Sequence, residues 1–185
     1  ECEKLNDMIA EILSYFRMQM QEDSVVTGEM DLVGLLEDLI KSVSYENQVS
    51  SNKIRLNLQN VENNFYYVGQ AKLLHRAFEN ILRNAMKYTD DYRVDIWLGY
   101  DSESKIYVLE FRDYGPGVPE HMLDRLFDPF FRVHTDRSQQ QGGYGLGLSI
   151  AQRAVEMHSG KITAMRYPAG GLVVRVELPD NVGDE

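Results

Sequence analysis

One stretch, residues 70–112, restricts the possible folds more than any other part of the chain. Over residues 70–88 the apolar side chains Leu74, Ala77, Phe78, Ile81, Ala85 and Tyr88 fall on one arc of a helix at about 100° per residue. The period then drops to two. Residues 92–99 alternate Val94, Ile96 and Leu98 with polar partners, and residues 105–112 repeat the pattern after the turn Asp101-Ser102-Glu103-Ser104. A helix with one apolar arc, running into a hairpin of half-buried strands, can hide that arc only on a face of the sheet. The class is therefore α+β, with a mixed or antiparallel sheet and helices on one side.

The flanking segments extend the same scheme. Residues 31–49 read as a helix with Leu32, Leu35, Leu36, Leu39, Ile40 and Val43 on one side and Asp31 as its N-cap. Residues 53–58 alternate as a strand. Residues 148–158 return to a helical pattern, and strands at 161–167 and 172–178 join through Pro168-Ala169-Gly170-Gly171. Between them, residues 114–147 hold most of the glycine clusters and three of the five prolines, and a loop of that length in a compact domain is usually functional. Upstream, residues 1–20 carry Leu5, Met8, Ile9, Ile12 and Leu13 at helical spacing, and a start inside that pattern leads us to expect a piece of something longer. The expected division is a helix over 1–22, a linker over 23–30, one main domain over 31–180 and a tail over 181–185.

Composition closes off several functions. With 19 Lys+Arg against 29 Asp+Glu the net charge is −10, which argues against nucleic acid and against an anionic membrane surface. The single cysteine, Cys2, excludes an internal disulfide framework and a thiolate metal cluster. No apolar run approaches the roughly 18 residues that span a bilayer.

Three features carry possible chemistry. On the helix over 70–88, Asn80, Asn84 and Lys87 form a narrow stripe, each within roughly 40° of its neighbour, at the edge of the buried arc. An amide oxygen suits a hard cation such as Mg²⁺, and a lysine one turn on suits phosphate, although a solvated polar stripe has the same pattern. Asp113 ends a strand and opens Asp113-Tyr114-Gly115-Pro116-Gly117, where a carboxylate can accept from an exocyclic amino group; Asp-x-Gly is also a common turn. The run Gly142-Gly143-Tyr144-Gly145-Leu146-Gly147-Leu148 leads straight into a helix, and unpaired N–H groups at a helix start bind phosphate. No Gly-Lys-Ser/Thr follows, so it is not a Walker loop.

In this order and spacing the features resemble a known family. Asn80-Ile81-Leu82-Arg83-Asn84-Ala85-Met86-Lys87-Tyr88-Thr89 resembles the N box of sensor histidine kinases, and Asp113-x-Gly115-x-Gly117 their first glycine box. Phe127-Asp128-Pro129-Phe130-Phe131-Arg132 is similar to the F box, and Gly143-Tyr144-Gly145-Leu146-Gly147-Leu148-Ser149-Ile150 to the second glycine box. His158-Ser159-Gly160-Lys161-Ile162 and Gly170-Gly171 through Leu178-Pro179 resemble the family's C-terminal end, so the likeness spans residues 31–179. Within the family the likeness is to membrane sensors that phosphorylate OmpR-type regulators, envelope-stress sensors among them.

The resemblance implies a Bergerat-type ATP-binding fold, a two-layer α/β sandwich, preceded by one helix of a truncated dimerisation hairpin. It implies that Asn84 gives its amide oxygen to Mg²⁺, that Asn80 supports the phosphates, and that Lys87 contacts phosphate. Tyr88 would lie against adenine, and Asp113 would accept the adenine amino hydrogen, with Gly115 and Gly117 giving room. Arg132 would hold the terminal phosphates and, with Asn80 and Lys87, form the catalytic set. Gly143, Gly145 and Gly147 would hinge a lid, and Val118, Tyr144, Leu146 and Leu148 complete the ATP-contacting set. The implied partners are ATP, the histidine-bearing dimerisation hairpin and an OmpR-type response regulator, in a homodimeric full-length protein at the cytoplasmic side of a bacterial inner membrane.

Departures and rivals bound that reading. The phosphoacceptor helix is absent; none of His75, His121, His134 and His158 sits in a phosphoacceptor pattern, and surface or core roles suit them. Gln70 follows Gly69 where Asp is common, and Ser159 follows His158 where Gly is common, both outside the expected nucleotide contacts. Arg137 reads as a solvated loop charge, and Met8, Met18 and Met20 as packing residues. A hydrolytic ATPase of the same superfamily would need a carboxylate base where Asn80 stands; Glu79 is one residue away and about 100° around the helix. Two more functions are compatible with the same residues, an anti-sigma-type serine kinase and a non-catalytic nucleotide-binding module.

Overall fold

The computed structural model describes residues 27–60, 64–89, 91–133 and 144–180. The helix expected over 1–22, the tail at 181–185, and Gly143, His134 and Arg137 lie outside the described residues.

Among the described residues, seven strands and three α-helices alternate. Strand β1 (Gly28–Asp31) leads into helix α1 (Leu32–Glu46), capped by the Asp31 carboxylate, which accepts from the Val33 N–H at 2.9 Å. Strand β2 (Ile54–Leu58) and strand β3 (Tyr66–Gly69) precede helix α2 (Ala71–Tyr88). Strands β4 (Val94–Asp101) and β5 (Ile106–Asp113) form the hairpin that the alternation announces. Two short 3₁₀ turns, Glu120–Met122 and Asp124–Phe127, precede helix α3 (Gly147–Glu156), and strands β6 (Lys161–Arg166) and β7 (Leu172–Pro179) close the fold.

The main sheet has the order β2-β4-β5-β7-β6, parallel between β2 and β4 and antiparallel elsewhere. Its inner face carries Val94, Ile96, Leu98, Leu109 and Phe111, all almost completely buried against the arc of α2 that holds Leu74, Ala77, Phe78 and Ile81. Phe78 and Phe111 meet across the layers with ring centroids 5.9 Å apart. Burying each such side chain contributes about 1.5–3 kcal/mol, so the α2–sheet contact is a principal source of stability. The expected two-layer α+β arrangement is thus the observed one.

β1 and β3 pair with each other in a separate two-stranded sheet, Gly28 opposite Gly69 and Asp31 opposite Tyr66. It packs through Tyr67, whose ring meets Tyr107 edge-on at 5.8 Å, while the Tyr107 hydroxyl donates to the Tyr66 carbonyl at 2.7 Å. His158 is a core residue. Its Nε2 accepts the Gln70 N–H at 2.9 Å, so Nδ1 carries the proton and donates to the Ala154 carbonyl at 2.7 Å. The imidazole takes the place of a side-chain cap on α2 and ties the start of that helix to the end of α3.

Candidate nucleotide site

Asn80, Asn84 and Lys87 occupy the rim of α2 beside its buried arc, as its helical period requires, and all three line a cleft of about 220 Å³. Asp113, at the last residue of β5, lies on the opposite side of the opening together with Gly117 and Val118. Arg132 closes the cleft from the segment after the 3₁₀ turns, and Tyr144, Gly145, Gly147 and Leu148 contribute the entry of α3. Segments far apart in the chain therefore share one cavity. The junction of F box and second glycine box is direct: the Phe130 N–H donates to the Gly145 carbonyl at 2.9 Å.

Two of the expected residues do not line it. Leu146 is fully buried; its carbonyl accepts from the Ser149 hydroxyl at 2.8 Å and the Ile150 N–H at 2.9 Å, so it serves the start of α3. Gly115 shapes the site from behind. A Cβ there would lie 2.2 Å from the Tyr88 carbonyl oxygen, so only glycine lets the β5 end approach the C-terminus of α2 so closely. Its N–H donates to Asp113 Oδ1 at 2.9 Å.

Asp113 is 3% exposed. Burial pushes its carboxyl above the usual range, opposed by the Gly115 and Leu172 N–H groups and by the charge of Arg112. Both N–H groups bond to Oδ1, Leu172 at 3.0 Å, which leaves Oδ2 to a donor in the cleft. Behind it, on the outer face of the sheet, Tyr114 is sandwiched between the guanidinium groups of Arg93 at 4.0 Å and Arg112 at 4.4 Å, and its hydroxyl bonds to Asp95. Tyr167 covers Arg112 at 3.3 Å. That stack braces the end of β5 from which Asp113 projects.

At the aromatic side, burial raises the Tyr88 hydroxyl pKa while the Arg132 charge works against it, placing the two side chains within electrostatic reach. Lys87 Nζ stands 5.2 Å from the Tyr88 ring centroid. Among the described residues no group of three His, Cys, Asp or Glu side chains converges as a metal site, so a divalent cation here would draw on Asn84 and on oxygens of its ligand.

Sequence reasoning missed Arg83, Pro116, Leu126, Phe131, Val133 and Leu172 as lining residues. Arg83 was within reach of it, three residues after Asn80 on the same side of the helix. Leu172 was not, because only the register that sets β7 beside β5, Arg112 opposite Val173, brings it to Asp113.

Comparison with known proteins gives the family and the fold. Residues 69–182 match the family described as histidine kinase-, DNA gyrase B-, and HSP90-like ATPase. The chain is 33% identical over 150 residues to the signal transduction histidine-protein kinase BaeS of Escherichia coli K12, covering 81% of this chain and 31% of BaeS. It is 28% identical over 179 residues to the sensor histidine kinase CpxA of the same strain, covering 97% of this chain and 38% of CpxA. It thus spans about a third of the length of these relatives. Among solved structures, full-length ShkA in complex with AMPPNP superposes with a TM-score of 0.74 at 22% identity, covering 95% of this chain and 35% of ShkA, a likeness of fold.

Proposed function

This chain belongs to the histidine kinase-, DNA gyrase B-, and HSP90-like ATPase family, and on that premise we propose that it is the ATP-binding catalytic region of a two-component sensor histidine kinase. In this reading it presents Mg·ATP so that the γ-phosphoryl group passes to a histidine outside this chain and then to an aspartate of an OmpR-type response regulator. The observation that carries the reading is the convergence of the α2 stripe, Asp113 and the entry of α3 on one cleft.

Each residue has a task suited to its chemistry. Asp113 Oδ2 accepts the adenine amino hydrogen, and Tyr88 lies along the ring. Lys87 and Arg132 meet the phosphates, with Asn80 as a neutral donor beside them; Tyr144, Gly145, Gly147 and Leu148 border the nucleotide at the entry of α3. Asn84 and the phosphates would hold Mg²⁺, a hard-oxygen set that suits it; the ion would neutralise charge on the transferring phosphoryl group. Transfer then depends on positioning and charge stabilisation by these side chains rather than on covalent chemistry of the protein.

Water is a poor competitor in this arrangement. An amide cannot take its proton, and the neighbouring Glu79 stands about 100° around the helix from Asn80 and is not among the residues that line the cleft. The full-length protein is proposed to be a homodimer through a histidine-bearing hairpin, with this region on the cytoplasmic side of a bacterial inner membrane. No helix among the described residues is long and apolar enough to cross one. The test is to incubate this chain with γ-labelled ATP and a separately produced histidine-bearing hairpin. Label on the hairpin, with no second-scale release of phosphate by the chain alone, is the expected result. Tight ATP binding without any transfer would instead make the chain a nucleotide-binding module.

A further inference from the structure

α2 brings to the cleft a cation that has no part in the transfer chemistry assigned so far. Seen down the helix, Asn84, Asn80, Lys87, Arg83 and Glu79 follow one another in steps of roughly 20–40°. Arg83 thus continues the row beyond Lys87, on the side away from Asn84, and it lines the same cavity. Its guanidinium is held by two carboxylates: Nε donates to Glu79 at 2.9 Å, and a terminal nitrogen donates to Glu46, the last residue of α1. Burial alone would lower the pKa of this group, but the two carboxylates outweigh it and keep the side chain firmly cationic. The partners are well solvated, with Arg83 at 41%, Glu46 at 49% and Glu79 at 32% exposure, and ion pairs this wet are readily exchanged for a denser anion.

We propose that Arg83 is a binding residue for the terminal phosphate of the nucleotide, released by Glu46 and Glu79 when a triphosphate enters the cleft. The inference rests on the nucleotide-binding reading and adds a basis for counting phosphates. A monophosphate reaches only the Asn84–Lys87 part of the row, whereas a triphosphate extends to Arg83 and displaces carboxylates that would otherwise repel it. A clamp serving only to join α1 to α2 would need neither contact with the cleft nor a second carboxylate on α2 itself.

The two roles predict opposite signs. Binding of ATP, ADP and AMP to this chain is measured by calorimetry in magnesium buffer, with thermal unfolding of each variant recorded alongside. Arg83→Met is expected to weaken ATP binding on the order of tenfold, the scale of one charge-assisted hydrogen bond, to weaken ADP binding less and to leave AMP binding unchanged. Glu46→Gln and Glu79→Gln keep the arginine and remove its competitors, so each should tighten ATP binding a few-fold. An unchanged ATP-to-AMP ratio in Arg83→Met overturns the proposal, and so does a loss of ATP affinity in the glutamine variants that matches Arg83→Met. If Asp113→Asn still weakens ATP in that case, nucleotide binding stands and only the role of Arg83 falls. A wild-type chain that binds none of the three removes both.

Discussion

Replacing Asp113 by Asn separates what this residue does for a ligand from what it does for the fold. In the wild type Oδ1 accepts from Gly115 N at 2.9 Å and Leu172 N at 3.0 Å, while Oδ2 is left to the cleft. The asparagine oxygen can keep both backbone bonds, which puts an NH₂ donor where Oδ2 stood. An adenine amino group then meets a donor instead of a charged acceptor. Losing a hydrogen bond to a charged group costs about 1.5–3 kcal/mol, a fall in ATP affinity on the order of 10- to 150-fold. Stability should move the other way. Burial holds the folded carboxyl above its ordinary value of 3.8, so its contribution to stability is greatest in acid and is lost as pH rises through the folded pKa. At neutral pH the charge is a net cost, and the neutral amide should leave urea resistance equal or improved. Calorimetry with ATP, and with inorganic tripolyphosphate as a ligand lacking the base, decides the matter. An equal loss for both ligands, unchanged ATP affinity, or a clearly destabilised fold would each refute the assignment.

Four further outcomes are expected of the same structure. Phe78→Ala removes a fully buried ring from the α2–sheet contact and should cost about 3–5 kcal/mol in urea unfolding. Burial lowers the His158 pKa, against a raising bond to the Ala154 carbonyl, so its contribution is complete above the unfolded value of 6.5 and declines as pH falls below it. His158→Gln should flatten that part of the pH profile of urea unfolding, and an unaltered slope would count against the imidazole. Gly115→Ala forces a Cβ to within 2.2 Å of the Tyr88 carbonyl oxygen and should cost about 1–3 kcal/mol in thermal unfolding, with weaker ATP binding as the turn shifts. Chelating divalent metal with EDTA should weaken binding of ATP in calorimetry while leaving that of adenosine unchanged.

What could be read from the sequence was what local periodicity encodes. The helical arc of Leu74, Phe78 and Ile81 and the alternation of Val94, Ile96 and Leu98 gave α2, β4 and the two-layer scheme, because each signal repeats several times within one element. β1 and β3 escaped notice: each has four residues, too few for a period to show, and they form only by pairing across the whole of α1 and β2. The parallel pairing of β2 with β4 was equally silent, since alternation carries no strand direction. The site divides along the same line. Asn80, Asn84 and Lys87 are neighbours by helical geometry, whereas Leu172, and Arg112 with Tyr114 and Tyr167 on the outer face, meet only through sheet register.

A chain of net charge −10 that takes a polyphosphate must gather its cations locally, and the fold shows how the gathering is done. Arg93 and Arg112 are committed to Tyr114 on the far face of the sheet, and Arg175 to Glu110 and Glu177, so none of them supplies the cleft. Lys87, Arg132 and Arg83 do line it, and Asp113 is the only carboxylate among the described lining residues. Salt screens exposed charges beyond about 8–10 Å, which leaves the acidic remainder of the surface little influence inside. The cavity is therefore polarised, with a desolvated anion at the end where Gly115 abuts Tyr88 and cations along the row toward Arg83. A ligand bearing an amino donor at one end and phosphates at the other fits in one direction only, since reversal would set phosphate against buried carboxylate. In the proposed reading, that orientation would carry the terminal phosphate away from Asp113 and toward Arg83.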